Sequence, residues 1–159
     1  MSFIKCGGIL FVICGILMGG TVARQKSGKQ FLNPKGVLKP VGYTQVVSVP
    51  SGKMIFVSGQ GGSSSDGKLP ADFAAQAKKA FENISLCLAA AGARFEDIVK
   101  VNYYLTDLSN TAELRRIRAQ YLNAAAPPAS TLVQAGLLGS GLLVEIDVIA
   151  IIPGQSDQP

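Results

Sequence analysis

The stretch IVKVNYYLT, Ile98–Thr106, decides how this chain folds because two kinds of side chain alternate along it. In an extended strand, successive side chains point to opposite sides. One side then carries the apolar and aromatic residues Val99, Val101, Tyr103 and Leu105. The other side carries Lys100, Asn102, Tyr104 and Thr106. The pattern predicts a strand with one buried side and one open side.

A helix is predicted before this strand, from about Ala71 to Ala91. Its apolar residues recur at spacings of three and four, which places them on one helical face: Phe73, Ala77, Phe81, Ile84 and Leu88. Gly92 is a residue type that often follows a helix C-terminus. This segment therefore predicts an amphipathic helix that packs against the strand.

A second helix is predicted after the strand. Asn110 and Glu113 fit a capping box at its start, and its inner face would consist of Leu114, Ile117 and Tyr121. The stretch NAAAPPA, residues 123–129, ends it because proline cannot continue a helix and disfavours helical geometry just before it.

Four further strands are predicted from alternating or β-branched runs. TQVVSV (Thr44–Val49) and MIFVSG (Met54–Gly59) would form a hairpin, STLVQ (130–134) is short, and Leu142–Ile152 is long. The order β-β-α-β-α-β-β predicts an α+β fold with one sheet and two helices on one face. The other sheet face also carries apolar residues, and a small domain usually buries such a face in an oligomer.

The 159 residues suggest one folded domain, which we place at residues 41–153, followed by a tail at 154–159. Residues 1–23 resemble a signal peptide, with Lys5 before an apolar run and small residues at its end. This predicts a secreted or periplasmic protein, and an uncleaved membrane anchor is the alternative. If the segment is not a functional signal, a cytoplasmic location is expected.

Residues 24–40 form a basic lead-in without acidic side chains. A solvated segment is the favoured interpretation, and contact with nucleic acid or anionic lipid is the alternative. The composition also limits the chemistry, because the chain has no His. Ser-His and Cys-His nucleophile pairs are excluded, and the commonest metal ligand is missing. Cys87 is interpreted as a structural buried thiol.

Three stretches invite a functional interpretation. VSGQGG (57–62) brings a strand into a glycine-rich segment, where backbone N–H groups could bind an anion, although a flexible turn is the simpler interpretation. Glu145 and Asp147 are two apart on a strand and point to the same face. They could do acid/base work, or they could lie on a half-solvated face. The third stretch is NAAAPPASTLV (123–133), which is a connector or the lip of a site.

Together these stretches resemble the Rid (YjgF/YER057c/UK114) family. The matching runs are VGYTQVV, MIFVSGQ, KKAFENISLCLAAAGA, FEDIVKVNYYLTD, PPASTLV and LLVEIDVIA, in the family's order and spacing. The resemblance implies a chorismate-mutase-like fold and a homotrimer with a small-molecule ligand in clefts between subunits. It also implies hydrolysis of reactive enamines or imines to 2-keto acids and ammonia, without a metal or cofactor.

The resemblance also implies a set of site residues. Glu145 would position the attacking water, with Asp147 as the second acid of the final strand. The substrate-binding positions would be Tyr43, Ser58, Gly59, Gln60, Ala129, Ser130 and Thr131. Active deaminases of the family carry at the position of Ala129 an Arg that grips the substrate carboxylate.

Because Ala129 offers no such bidentate clamp, the sequence leaves three functions open. The first is an enzyme that hydrolyses an imine or enamine other than the archetypal ones. The second is a trimeric binding protein without catalysis. The third is a ribonuclease-like activity, as described for relatives; it ranks last, and no nucleic acid partner is expected.

Overall fold

The computed structural model describes residues 28–154. The predicted signal peptide and the tail from residue 155 lie outside these residues. The described strands are β1 (Gln30–Leu32), β2 (Val46–Ser48), β3 (Gly52–Gly61), β4 (Ile98–Leu105), β5 (Ala129–Gln134) and β6 (Val144–Pro153). The helices are α1 (Phe73–Ala90) and α2 (Thr111–Arg118), and short 3-10 turns precede β4 and α2 at Phe95–Asp97 and Leu108–Asn110.

The main sheet has four strands in the order β3-β6-β4-β5. The β3–β6 and β6–β4 pairs are antiparallel, and the β4–β5 pair is parallel. A parallel pair needs a crossover connection, and α2 lies in that connection. Both helices pack on one face of the sheet, so the α+β architecture predicted from the sequence is confirmed. We call the helix side the covered face and the opposite side the open face.

The predicted hairpin between residues 44–49 and 54–59 is wrong. Strand β2 pairs with β1 in a separate two-stranded sheet, whereas β3 pairs with β6 from Gly52 onward. Thr44 explains the difference, because its N–H donates to the Pro128 carbonyl at 3.2 Å and its hydroxyl to the Pro127 carbonyl at 2.6 Å. These bonds fix the chain before β2 against the start of β5, on the far side of the sheet from β3.

The core lies between the covered face and the two helices. All five residues of the predicted α1 stripe are buried, as are Leu114 and Ile117 of α2. The sheet contributes alternate residues, chiefly Val101, Tyr103, Leu105, Val144, Ile146, Val148 and Ala150. In β4 the pairing with β6 shifts between Ile98 and Lys100, so Ile98 rather than Val99 is buried at its start.

Gln76 is a fully buried polar residue within the α1 stripe. Its amide nitrogen donates to the carbonyls of Pro70 and Gly141, both at 2.8 Å, and its amide oxygen accepts from the N–H of Leu143 at 2.9 Å. Buried backbone N–H and C=O groups need hydrogen-bond partners. Gln76 therefore ties the start of α1 to the chain that enters β6.

We expect Gln76→Ala to lower the free energy of unfolding by about 2–3 kcal/mol, because three backbone groups lose their partner. Denaturant unfolding at a fixed protein concentration measures the change. Gln134→Ala is the matched control: this exposed side chain makes one bond, to the Thr106 carbonyl, and its loss should cost under about 1 kcal/mol. Equal costs for the two variants would contradict the role given to Gln76.

Candidate functional site

The open face presents three rows of side chains, because residues paired in register point to the same side of a sheet. The first row runs across β5, β4, β6 and β3 as Ala129, Lys100, Ile149 and Phe56. The second runs across β5, β4 and β6 as Thr131, Asn102 and Asp147, and the third as Val133, Tyr104 and Glu145. Acids, an amide, a phenol and one amine thus share a single surface.

Asp147 is engaged by its neighbours on β4. The Asn102 amide donates to Asp147 Oδ1 at 2.9 Å. Hydrogen bonding to Asp147 is also the main reason that the pKa of the Tyr104 hydroxyl is raised; burial and the charges of Asp147 and Glu145 add to it. Asp147 serves as an acceptor that orders the middle of the open face.

Glu145 owes its position to a bulge in β3. The register between β3 and β6 shifts between Val57 and Gln60, so Ser58 and Gly59 together face one residue of β6. A Cβ atom on Gly59 would overlap Oε1 of Glu145. Since only glycine leaves this space free, the bulge seats the Glu145 carboxylate directly on the backbone of β3.

The two acids differ in their partners. The ion pairs among residues 28–154 involve neither Glu145 nor Asp147. Asp147 is nevertheless held by the amide of Asn102, whereas Glu145 lies half-buried at the end of the open face. A carboxylate with free oxygen lone pairs can accept a hydrogen bond from a water molecule and take its proton. Glu145 is thus the better placed of the two for acid/base work.

The opposite end of the open face is built around the NAAAPPA loop. Thr44 holds residues 43–45 against Pro127 and Pro128, which brings Tyr43 close to the start of β5. Lys100 Nζ donates to Thr131 Oγ1 at 2.6 Å, across the β4–β5 pair. This end therefore places Ala129 and Thr131 beside Lys100 on the open face, and the backbone of Tyr43 lies near the start of β5.

The structure does not bring all the predicted site residues together. Glu145 and Ala129 are two rows and two strands apart, a Cα separation of about 16 Å from ordinary strand spacings. Ser130 and Gln60 pair with Val101 and Ile146, so they belong to the covered face. Within one protomer, the face carries a Glu145 end with Ser58 and Gly59, and an Ala129 end with Tyr43 and Thr131.

Sequence reasoning did not select Lys100, Asn102 or Tyr104 as site residues. The signal was present, because their alternation in IVKVNYYLT put them on the side away from the helices. The sequence VSGQGG predicts a strand followed by a glycine-rich loop, whereas β3 continues as a paired strand to Gly61. Its backbone is therefore mostly used in pairing rather than available as an anion-binding loop.

Cavities also lie outside the open face. One, about 490 Å³, lies beside β1 and the end of α2, and its lining includes Phe31, Phe95 and Tyr121. Another, about 260 Å³, is lined by Arg115, Arg118 and the loop before β5. Arg118 donates to the Gly42 carbonyl at 2.9 Å and lies over the Tyr103 ring. These cavities contain none of the predicted site residues.

Two further properties concern residues 28–154 alone. Across this range, we find no group of three or more side chains with the chemistry to hold a metal ion. Over the same range, none of the helices is long and apolar enough to cross a membrane.

Comparisons with known proteins agree with this architecture. The profile of the family described as Endoribonuclease L-PSP matches residues 37–152. The RutC family protein YjgH of Escherichia coli is 40% identical over 109 residues, 68% of this chain and 82% of the relative. RidA from the Antarctic bacterium Psychrobacter is 37% identical with a TM-score of 0.60, over 77% of this chain and 99% of that one. Escherichia coli TdcF, solved with bound serine, is 32% identical with a TM-score of 0.58, over 74% and 91%.

The contact between Gly59 and Glu145 gives a structural prediction. In Gly59→Ala, the new methyl group should force the flexible Glu145 side chain to rotate away from β3, because overlap with the carboxylate is the main obstacle. A crystal structure of the variant measures the displacement. Gly136→Ala is the control, since a Cβ there meets nothing within 4 Å, and Glu145 should stay in place. A Glu145 side chain that keeps its position in Gly59→Ala would contradict the close contact between Gly59 and the Glu145 carboxylate.

Proposed function

The chain belongs to the Rid (YjgF/YER057c/UK114) family, and from this premise we propose that it hydrolyses a small imine or enamine bound on the open face. The observation that carries the proposal is the Glu145 carboxylate, seated over Gly59 and without an ion pair among the described residues. The relatives support the same chemistry, because TdcF carries the provisional name of a reactive intermediate deaminase.

In this reaction, Glu145 accepts a hydrogen bond from a water molecule and takes its proton as the water oxygen attacks the imine carbon. The C=N electron pair moves to nitrogen, which takes up the proton lost by the water and gives a carbinolamine. The hydroxyl proton of the carbinolamine then passes to the amine nitrogen as the C=O bond forms and the C–N bond breaks, so imine and water give a carbonyl compound and ammonia. The chain's residues supply the base and the orientation, and the step requires no oxidant or reductant.

We further propose that the working form is a homotrimer whose clefts join the two ends of the open face. The separation of about 16 Å between Ala129 and Glu145 supports this, because a small ligand cannot bridge it within one protomer. The apolar part of the open face also supports it: Met54 is 55% exposed and Phe56 72% exposed. A cleft between neighbouring copies can place the Ala129 end of one against the Glu145 end of the other.

Ala129 sets the limit of the proposed activity. In the family's active deaminases an Arg at this position grips the substrate carboxylate, and its absence removes a bidentate contact that fixes orientation. We therefore propose weak activity on imines derived from amino acids, such as 2-aminoacrylate. Binding without catalysis is the second candidate, favoured by the same residue. Ribonuclease activity ranks third, because the chain has no His for general acid/base cleavage of RNA.

We propose that residues 1–23 direct export, so that the protein acts outside the cytoplasm. N-terminal sequencing of the protein recovered from cell fractions tests this. A mature chain that begins after Ala23 in the exported fraction is the expected result. A full-length protein confined to the cytoplasm would contradict it.

The catalytic proposal predicts the behaviour of three variants in an assay coupled to a pyridoxal-phosphate dehydratase, which generates 2-aminoacrylate. The wild type should accelerate 2-keto acid formation only weakly. Ala129→Arg should raise the acceleration about tenfold by restoring a charged contact worth about 1.5 kcal/mol. Glu145→Gln should remove it in both backgrounds. Glu82→Gln, an exposed change on α1, should leave it unaltered.

Robust acceleration by the wild type would contradict the proposal that Ala129 limits activity on imines derived from amino acids. A Glu145→Gln variant that keeps full activity would contradict the catalytic role of Glu145. Binding of keto acids with no turnover in any variant would favour the second candidate, binding without catalysis.

The trimer proposal predicts that the open face controls the oligomeric state. Light scattering during size exclusion should give three times the mass of one chain for the wild type. Phe56→Asp should dissociate the assembly, because it places a charge in an apolar contact. Leu86→Asp changes a leucine of similar exposure, 68%, on α1 and should remain trimeric. A monomeric wild type would refute the trimer, and a Phe56→Asp variant that stays trimeric would refute the open face as its contact.

A further inference from the structure

The cavity of about 260 Å³ beside the end of α2 contains two arginines, and none of the described residues that line it is acidic. Arg115 and Arg118 both belong to the last turn of α2. Because they are three residues apart, they lie on the same side of the helix. Val41, Leu122 and Pro127 supply apolar walls. Positive charge beside apolar walls is the arrangement expected of a site for a small organic anion.

Arg118 is held in place beside this cavity. It donates to the Gly42 carbonyl at 2.9 Å, and its guanidinium lies over the buried ring of Tyr103. Gly42 permits this approach, because a Cβ atom there would overlap Nη2 of Arg118 and the backbone has a φ of 72°. The bond to Gly42 uses one of the five N–H donors of the guanidinium. Arg118 is therefore ordered and still has donors for a ligand.

Arg115 and Asn123 add further donors to the cavity. Arg115 is exposed and takes part in none of the ion pairs among residues 28–154, whereas the neighbouring Arg116 pairs with Glu113. The amide oxygen of Asn123 accepts from the Ala125 N–H at 2.9 Å. This leaves the amide nitrogen of Asn123 as a donor. The cavity therefore offers two guanidinium groups and one amide.

Arginines near the end of a helix have an alternative role, which is to bind the last free carbonyls of the helix. Here the backbone N–H groups of residues 119–122 already bind the carbonyls of Arg115, Ile117 and Arg118. These carbonyls have partners without any arginine side chain. Capping of α2 therefore does not account for the position of Arg115.

We propose that this cavity binds a small organic phosphate monoester. At neutral pH the phosphate group carries up to about two negative charges and has three strong acceptor oxygens, which match two guanidinium groups and one amide. A carboxylate carries a single charge, and the fork of one arginine is enough to bind it. The apolar walls favour an ester over inorganic phosphate, because they remove its organic part from water.

This binding site is separate from the open face. Its lining includes none of the residues that the sequence predicts for the site, and Gly42 is its nearest neighbour to Tyr43 along the chain. The proposal therefore goes beyond imine hydrolysis and does not depend on it.

The test is calorimetric titration of the full chain with phenyl phosphate, benzoate and inorganic phosphate at one ionic strength. The wild type should bind phenyl phosphate most tightly of the three. Arg115→Gln should weaken this binding about tenfold, because one charge-assisted contact is lost. Arg116→Gln is the matched control, since it removes the same charge from the same helix outside the cavity lining. It should bind as the wild type does, and so should Lys100→Gln on the open face. Thermal melting checks that each variant is folded.

Equal weakening in Arg115→Gln and Arg116→Gln would indicate attraction to the general charge of α2 and would overturn the site. Weakening in Lys100→Gln with unchanged affinity in Arg115→Gln would place the anion on the open face, with the same consequence. Benzoate or inorganic phosphate that binds as tightly as phenyl phosphate would overturn the proposed ligand class, and a wild type that binds none of the three would overturn the proposal. The coupled assay for 2-keto acid formation tests the proposed function separately.

Discussion

The register of β4 between β5 and β6 is the constraint on which the rest of the molecule depends. It places Tyr103 beside Leu132 and Ile146 against the helices, and it places Asn102 beside Thr131 and Asp147 on the open face. A slip of one residue would exchange the two sets. An amide, an amine and a phenol would then enter the core, while Val101 and Tyr103 would leave it. The same register thus defines both the core and the candidate site.

Tyr103 shows how tightly the covered side is filled at this register. Its side chain is 1% exposed, and burial raises the pKa of its hydroxyl to about 12, against the opposing influence of Arg118. Arg118 lies over the ring with its guanidinium carbon 5.9 Å from the centroid and also binds the Gly42 carbonyl. The helix arginine therefore belongs to the packing of the covered side. It leaves the open face to Lys100 as its source of positive charge near Ala129.

Local periodicity was enough to predict most of the fold. The α1 stripe and the inner residues of β6 are buried. Their burial was predictable because the helical period of 3.6 residues and the strand period of 2 are both clear in the sequence. Gln76 falls on the α1 stripe, so the periodicity indicated its burial, but two of its three partners, Gly141 and Leu143, lie more than 60 residues away in sequence. The β1–β2 pair could not be predicted, because each strand has only three residues. The position of β2 depends on the hydrogen bond from the Thr44 hydroxyl to the carbonyl of Pro127, 83 residues away.

The sequence was enough to predict which residues belong to the candidate site. It was not enough to predict how far apart they lie. Residue matching with the Rid family marked Glu145 and Ala129, yet their separation depends on strand directions that matching does not contain. Because β5 and β6 run in opposite directions on either side of β4, the start of one lies at the end of the other. The difference between Glu145 and Asp147 also depends on the three-dimensional structure, since it arises from the β3 bulge beside Glu145 and from the Asn102 amide that binds Asp147.

Ala129 and Glu145 lie at opposite ends of the open face, so the proposed oligomer and the proposed substrate depend on each other. Under the proposed function, a substrate beside Ala129 and a water on Glu145 belong to one reaction only if two protomers meet, because the two residues lie about 16 Å apart in one protomer. Ala129 offers no bidentate contact that would fix the substrate's plane. In the proposed cleft, orientation would therefore have to come from the shape of the walls.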